Sequence, residues 1–167
     1  MIVRLLNPTD AEAYQKVRLI ALQNHPEVFA SSYEEEKDRP AEFYGQRFQS
    51  EEAFTFGAFE DETLIGTVTL FIESKLKLKH RANIFAMYVS PEKRKIGAGK
   101  LLMTAALEKA MALPDIEQIH LTVEASNEPA KKLYASCGFE TYGKDKRALK
   151  IDDQYFDEEH MVLYLNK

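Results

Sequence analysis

A chain of 167 residues with a single cysteine and a formal net charge of −5 can bury one core without disulfides, and its charge balance argues against a general nucleic-acid binder. Hydrophobic content of 45% beside 29% charged residues is that of a globular chain, and no apolar run approaches the roughly 20 residues a membrane helix needs. No secretion signal, repeat or Gly/Ser/Pro-rich linker is visible, so a single domain over residues 1–167 in the reducing cytoplasm is the expectation, with no cysteine-based metal cluster.

Ile2 to Leu6 reads as a first strand. Asn7-Pro8-Thr9-Asp10 has the chemistry of a helix start, with a cap, a proline in the first turn and an acid beside the dipole. Ala13, Tyr14, Val17, Ile20 and Ala21 recur at helical spacing until Asn24-His25-Pro26 breaks the pattern. Phe29 to Tyr33 is expected as a loop, followed by a second helix from about Glu34 toward Gln49 with a hesitation at Arg39-Pro40. Phe54 to Phe59 and Leu64 to Ile72 read as the strands of a hairpin closed by Glu60-Asp61-Glu62.

After the polar connection Lys75 to His80 comes the strand Ala82 to Val89, stopped by Ser90-Pro91. A long helix follows, with Leu101, Leu102, Ala105 and Ala112 expected on one face and Pro114 at its end. Ile116 to Val123 is another strand, Asn127 caps the next helix, Gly138 ends it, and Phe139 opens a strand. Leu149-Lys150-Ile151, Asp152-Asp153 and Tyr155 to Leu165 suggest a final antiparallel hairpin whose last strand is His160 to Leu165. The order β-α-α-β-β-β-α-β-α-β-β makes this a mixed α/β chain, one sheet packed with helices.

The chemistry concentrates at Arg94-Lys95-Ile96-Gly97-Ala98-Gly99, between the strand Ile84 to Val89 and the helix that begins at Lys100-Leu101-Leu102. A strand that exits into a glycine-bearing turn at a helix N-terminus leaves several backbone N–H groups unpaired and aimed one way, with the helix dipole adding positive charge. That is an anion site, most naturally for phosphate. Gly97 and Gly99 would let the backbone approach a ligand closely, and Lys93, Arg94, Lys95 and Lys100 would surround it with charge, so the ligand is expected to carry more than one phosphate. The triphosphate loop G-x-x-x-x-G-K-[ST] fails, because Arg94 holds its first glycine position and Leu101 its hydroxyl position. The dinucleotide fingerprint fails too, since Leu102 stands where the third glycine belongs and no acidic residue ends a neighbouring strand about 20 residues on.

What remains, R-x-x-G-x-G at Arg94, Gly97 and Gly99, resembles the GNAT superfamily of acyl-coenzyme A dependent N-acyltransferases. A second block resembles the same family: Asn127-Glu128-Pro129-Ala130-Lys131-Lys132-Leu133-Tyr134, then Cys137-Gly138-Phe139-Glu140. The two blocks stand in the family's order and spacing with a strand between them. The resemblance implies a mostly antiparallel central sheet of about seven strands, flanked by helices and splayed at the fourth and fifth. It also implies an acetyl-CoA dependent N-acetyltransferase with acetyl-CoA as co-substrate and a primary amine as acceptor, often as a homodimer.

Residue by residue, the resemblance implies that the main chain at Met87, Tyr88 and Val89 pairs with the pantetheine arm, and that Arg94, Lys95, Ile96, Gly97, Ala98, Gly99 and Lys100 hold the phosphates. Asn127 would cap its helix and reach the coenzyme arm, Lys131 would stand near the phosphates, and Tyr134 would be the general acid. A phenol with an ordinary pKa of about 10 is protonated at neutral pH and can give its proton to a departing thiolate. The general base that some members place early on the strand before the turn falls here on Asn83, which cannot accept a proton, so Glu124 at the exit of the next strand is one candidate, beside a water chain or no protein base at all if the amine arrives neutral. His80 and His120 read as surface or packing residues, and Cys137 as a structural thiol at a helix end. Glu34, Glu35 and Glu36, with Asp152, Asp153, Asp157, Glu158 and Glu159, would flank the acceptor cleft and suit a cationic amine. A second reading, a coenzyme-binding sensor without turnover, is favoured by Asn83 and opposed by Tyr134 and Asn127.

Overall fold

A computed structural model describes residues 1–167. The elements run β1 (Ile2–Leu5), α1 (Ala11–Asn24), α2 (Tyr33–Glu36), α3 (Ala41–Arg47), β2 (Ala53–Glu60), β3 (Thr63–Ile72), β4 (Arg81–Val89), α4 (Ala98–Ala112), β5 (Gln118–Glu124), α5 (Glu128–Ser136), β6 (Glu140–Ile151) and β7 (Gln154–Tyr164). The seven strands form one sheet in the order β1-β2-β3-β4-β5-β7-β6. Every neighbouring pair is antiparallel except β4 and β5, which are parallel over only three rungs, from Arg81↔Gln118 to Asn83↔His120. Past Asn83 the two strands part, so the sheet carries an open wedge at its centre. No helix is long and apolar enough to cross a membrane.

The main core lies between the sheet and the pair α4 and α5, where Val68, Leu70, Ala82, Ile84, Ile119 and Leu121 pack against Leu102, Met103, Ala106 and Tyr134. On the other sheet face α1 and α3 cover β2 and β3 through a smaller cluster of Leu6, Tyr14, Tyr44, Phe59 and Leu64. Opposite faces of one sheet are thus covered by different helices, which the alternation of side chains along a strand allows.

Three expectations are corrected here. The helix expected from Glu34 to Gln49 is two, because Pro40 cannot donate in an α-helix and biases Arg39 away from helical backbone. The first of them starts at Tyr33, where Ser32 and Glu35 form a capping box. The face of α4 that meets the sheet is Ala98, Leu102, Met103, Ala106 and Ala110, whereas Leu101 and Ala112 are exposed. The helix is apolar around most of its circumference, so periodicity alone could not choose its face. The final hairpin is longer than expected, with β7 beginning at Gln154 rather than His160.

Candidate active site

The wedge is opened by a bulge in β4. Thr69 pairs with Phe85 and Thr67 with Tyr88, so Ala86 and Met87 share the place of one residue, and Ala86 takes a left-handed φ of 52°. Thr67 fixes the distortion by donating its hydroxyl to the Ala86 carbonyl at 3.1 Å. Beyond Asn83, β4 has no ladder partner on its β5 side. A sheet edge inside the molecule is a template for another strand-like backbone. Of the β4 residues expected there, Val89 and the Tyr88 ring are buried and Met87 is half-buried. The Tyr88 ring packs on Ala21, Leu22 and Phe29, its hydroxyl has no partner, and burial pushes its pKa up.

Directly after β4 the chain makes a 3-10 turn at Pro91–Lys93 and then the glycine turn. Lys95 and Gly97 are both left-handed, with φ of 67° and 90°, and Gly97 is the residue preceding the first turn of α4. No backbone N–H from Lys95 to Lys100 donates to a protein acceptor; the first one used, that of Leu101, goes back to the Gly97 carbonyl at 3.0 Å. Six consecutive amides at the N-terminus of a 15-residue helix are left for an outside anion. A Cβ on Gly97 would meet nothing within 4 Å, so its backbone conformation is what asks for glycine. Gly99 differs from the expectation. A Cβ there would stand 3.1 Å from Leu133 and 3.3 Å from Met87, so its role is to let α4 close on α5 and β4.

The basic side chains are more committed than the sequence suggested. Lys93 pairs with Glu60. Arg94 donates from Nε to the Val89 carbonyl at 2.9 Å and lies over the Tyr88 ring. Lys100 reaches the Ser136 carbonyl and hydroxyl, both at 3.3 Å, at the end of α5. Lys131 donates to the Ala125 carbonyl at 3.0 Å and pairs with Glu159 at 2.6 Å and Glu128 at 3.1 Å. These contacts tie α5 to the turn before it and to β7, and they leave the Lys131 ammonium no free donor face for a phosphate. Of the basic side chains from Lys93 to Lys100, only that of Lys95 makes none of these contacts.

Tyr134 projects from α5 into the core cluster beside the wedge. It is 7% exposed, packs edge-on against Phe139, and its hydroxyl bonds to no protein group. Burial, with the Cys137 thiol adding to it, holds the phenol protonated well above its ordinary range. Asn127 caps α5 by accepting the Ala130 N–H at 3.3 Å. Glu124 is buried at the exit of β5, where one carboxylate oxygen accepts both the N–H and the hydroxyl of Ser126, at 3.0 and 2.6 Å. Such contacts close the turn into α5. Met87, Gly99, Leu133 and Tyr134 are brought together around the wedge; Glu124 stands at its rim.

Two groups escaped the sequence reading. Glu36, read as part of an acidic cleft lining, is 2% exposed and gripped by Arg18 at 2.9 Å and by the Tyr44 hydroxyl at 2.9 Å, with Arg39 at 3.7 Å. The other is His120, with Gln118, Tyr142 and His160 around it on the sheet face away from α4. The alternation of Gln118, His120, Thr122 and Glu124 with the apolar residues of β5 was the signal available for that face.

Comparison with known proteins agrees with this geometry. The acetyltransferase (GNAT) family model matches residues 17–139. A mycothiol acetyltransferase of Brachybacterium faecium is 32% identical over 136 residues, 81% of this chain but 39% of that one, so the chain spans about two fifths of its length. An N-alpha-acetyltransferase of Sulfurisphaera tokodaii is 27% identical over 82% of this chain and 78% of its own. A putative acetyltransferase from Salmonella typhimurium, solved with its cofactor acetyl-CoA, superposes with a TM-score of 0.87 over 100% of this chain and 95% of that one at 15% identity, a likeness of fold.

Proposed function

The chain belongs to the acetyltransferase (GNAT) family, and we propose that it transfers an acetyl group from acetyl-CoA to a primary amine of a small molecule or protein by direct attack. The observation that carries this reading is the run of six unpartnered amides from Lys95 to Lys100 beside a wedge whose β4 edge has no strand partner. The amides of the turn hold the pyrophosphate oxygens, aided by the α4 dipole and by Lys95. The free main chain of β4 around Met87, Tyr88 and Val89 pairs with the extended arm and polarises the carbonyl it carries. Bound acetyl-CoA supplies a thioester carbonyl as the electrophile. The Tyr134 hydroxyl, protonated and without a protein partner, gives its proton to the departing sulfur. Asn127 and Lys131 set the position of α5 and so of Tyr134, Asn127 through its cap and Lys131 through Glu159.

Calorimetric titration with acetyl-CoA, CoA and ATP is the first test, followed by thiol release from acetyl-CoA with L-amino acids, a short peptide with a free N-terminus, spermidine and an aminoglycoside. The two coenzymes bind and ATP does not; at least one amine accelerates thiol release. Tyr134→Phe keeps acetyl-CoA affinity and loses about 10²-fold in turnover, the lower end of what general acids contribute. Absence of coenzyme binding sinks the proposal. Binding without release by any amine leaves a coenzyme-sensing module, and unchanged turnover in Tyr134→Phe removes that residue from the mechanism.

A further inference from the structure

Acetyl transfer to an amine has a second proton to manage. An alkylamine is protonated at neutral pH and has no lone pair until that proton leaves. Glu124 has one oxygen bound to Ser126, and Asn83 donates its amide to Glu73 at 2.9 Å and has no basic atom. The group at the floor of the wedge is His120. Asn83↔His120 is the last paired rung before β4 and β5 separate. The side chains of Ala82 and Ile84, and of Ile119 and Leu121, enter the core under α4 and α5, so those of Asn83, Phe85 and His120 face the other way. That face is open there: Phe85 is 53% exposed and His120 is half-buried. With α4 and α5 covering one side of the sheet, and α1 and α3 covering β2 and β3 on the other, the open part of that second face beside His120 is the approach left for an amine.

The imidazole is oriented on both sides. Nε2 lies 2.6 Å from the side-chain amide oxygen Oε1 of Gln118, an atom that only accepts, so Nε2 carries the hydrogen and Nδ1 the lone pair. Nδ1 faces the Tyr142 hydroxyl at 3.4 Å, whose ring stands edge-on to the imidazole and is 57% exposed. Beyond it His160, held by the Thr122 hydroxyl at 3.2 Å, packs on the far side of Tyr142. Burial, then the Arg81 guanidinium on β4 and the neighbouring His80, push the His120 pKa below its usual value of about 6.5. The ring is therefore a neutral base at pH 7. The other groups facing it are Gln118 and Thr122 on β5, Tyr142 on β6, His160 on β7, and Asn83 with its Glu73 partner.

We infer that His120 is the proton acceptor for the incoming amine, with Tyr142 as the outlet to solvent, an assignment that rests on the acetyltransferase reading above. One ammonium proton passes to Nδ1, directly or through one water, and the imidazolium then gives it to the Tyr142 oxygen as that hydroxyl releases its own hydrogen to solvent. The freed nitrogen lone pair forms the C–N bond as the C–S bond breaks, and the sulfur takes the Tyr134 proton. The second proton lost by nitrogen returns through solvent to Tyr134, so charge and atoms balance.

The test measures thiol release by the wild type, His120→Gln and Tyr142→Phe with the most active amine of the panel, from about pH 7 to about pH 9.5, toward the alkylamine pKa near 10.4. His120→Gln loses about 10²-fold in kcat/KM at pH 7, and the deficit narrows steadily as the pH rises because the amine then arrives neutral. Tyr142→Phe, which keeps the ring packing, shows a smaller deficit in the same direction, and acetyl-CoA affinity stays at the wild-type value in both. Full turnover in His120→Gln at pH 7, or a deficit that stays constant with pH, overturns the assignment. Wild-type protein that binds acetyl-CoA but releases no thiol with any amine overturns the transferase reading and this assignment with it, an outcome seen before any variant is compared.

Discussion

From Lys95 to Lys100 six backbone amides point outward without a protein partner, whereas between α1 and α3 a carboxylate is buried and gripped from three sides. The first region is main chain held in an unusual shape by glycine; the second is side chain held by side chain. A phosphate meets amides in the same way in any protein that presents a helix N-terminus, so on the proposed reading the first region answers to a ligand. The Glu36 network has no ligand to match. It ties α1, α2 and α3 together and, through Arg18 lying over the Phe29 ring, fixes the loop that borders the wedge. On that reading one half of the site is set by what it binds and the other by what it must hold up.

Removing the buried carboxylate tests that contrast most severely. Glu36→Ala leaves Arg18, 14% exposed, and the Tyr44 hydroxyl without their partner and lowers stability by about 3 kcal/mol, read as a urea midpoint, while acetyl-CoA affinity measured on the folded protein stays unchanged. A loss of coenzyme affinity there would merge the two halves. The pH dependence follows from the same group. Burial pushes the Glu36 carboxyl up, but Arg18, Tyr44 and Arg39 together outweigh it, so its pKa in the fold lies below the ordinary carboxylate range. Its contribution is therefore present above the unfolded value of about 4.3 and is lost as the pH falls through the folded value. Urea midpoints of wild type and Glu36→Gln that converge below about pH 4 would show it.

Gly97→Ala sharpens the comparison from the other side. A left-handed φ of 90° costs a residue with a Cβ about 1–2 kcal/mol, and the space beside it is open, so strain is the whole effect. The turn relaxes toward negative φ and acetyl-CoA affinity falls about tenfold by calorimetry, with Tm lowered only slightly. Wild-type affinity would mean that the amides do not need this turn geometry. The smallest effect is expected at Lys131→Ala, which removes surface ion pairs to Glu159 and Glu128, lowers Tm only slightly and leaves coenzyme affinity unchanged. A clear drop in affinity would put the Lys131 ammonium back at the phosphates.

The glycine turn, the flanking strands and the α5 block were legible because each depends on local chemistry: positive φ, an Asn cap, a proline, a strand exit. Glu36 was not, since a run of three glutamates looks the same whether its last member is solvated or buried, and Arg18 lies 18 positions earlier. Lys100 and Lys131 read as free cations because their partners, Ser136 and Glu159, stand 36 and 28 positions along the chain. That the missing Cβ of Gly99 makes room for Leu133 and Met87 was not legible either, because those neighbours belong to other elements.

What the sequence by itself determined is the order of the elements and the place of the glycine turn, since propensity, capping and backbone sterics act over a few residues. The tertiary structure alone decided that β4 and β5 part after Asn83↔His120, which part of the sheet stays open beside them, and that His120 meets Gln118 and Tyr142 there. Those depend on a bulge at Ala86 and on pairing between strands far apart in the chain, and burial and charge at a site are fixed only once the fold has closed around it.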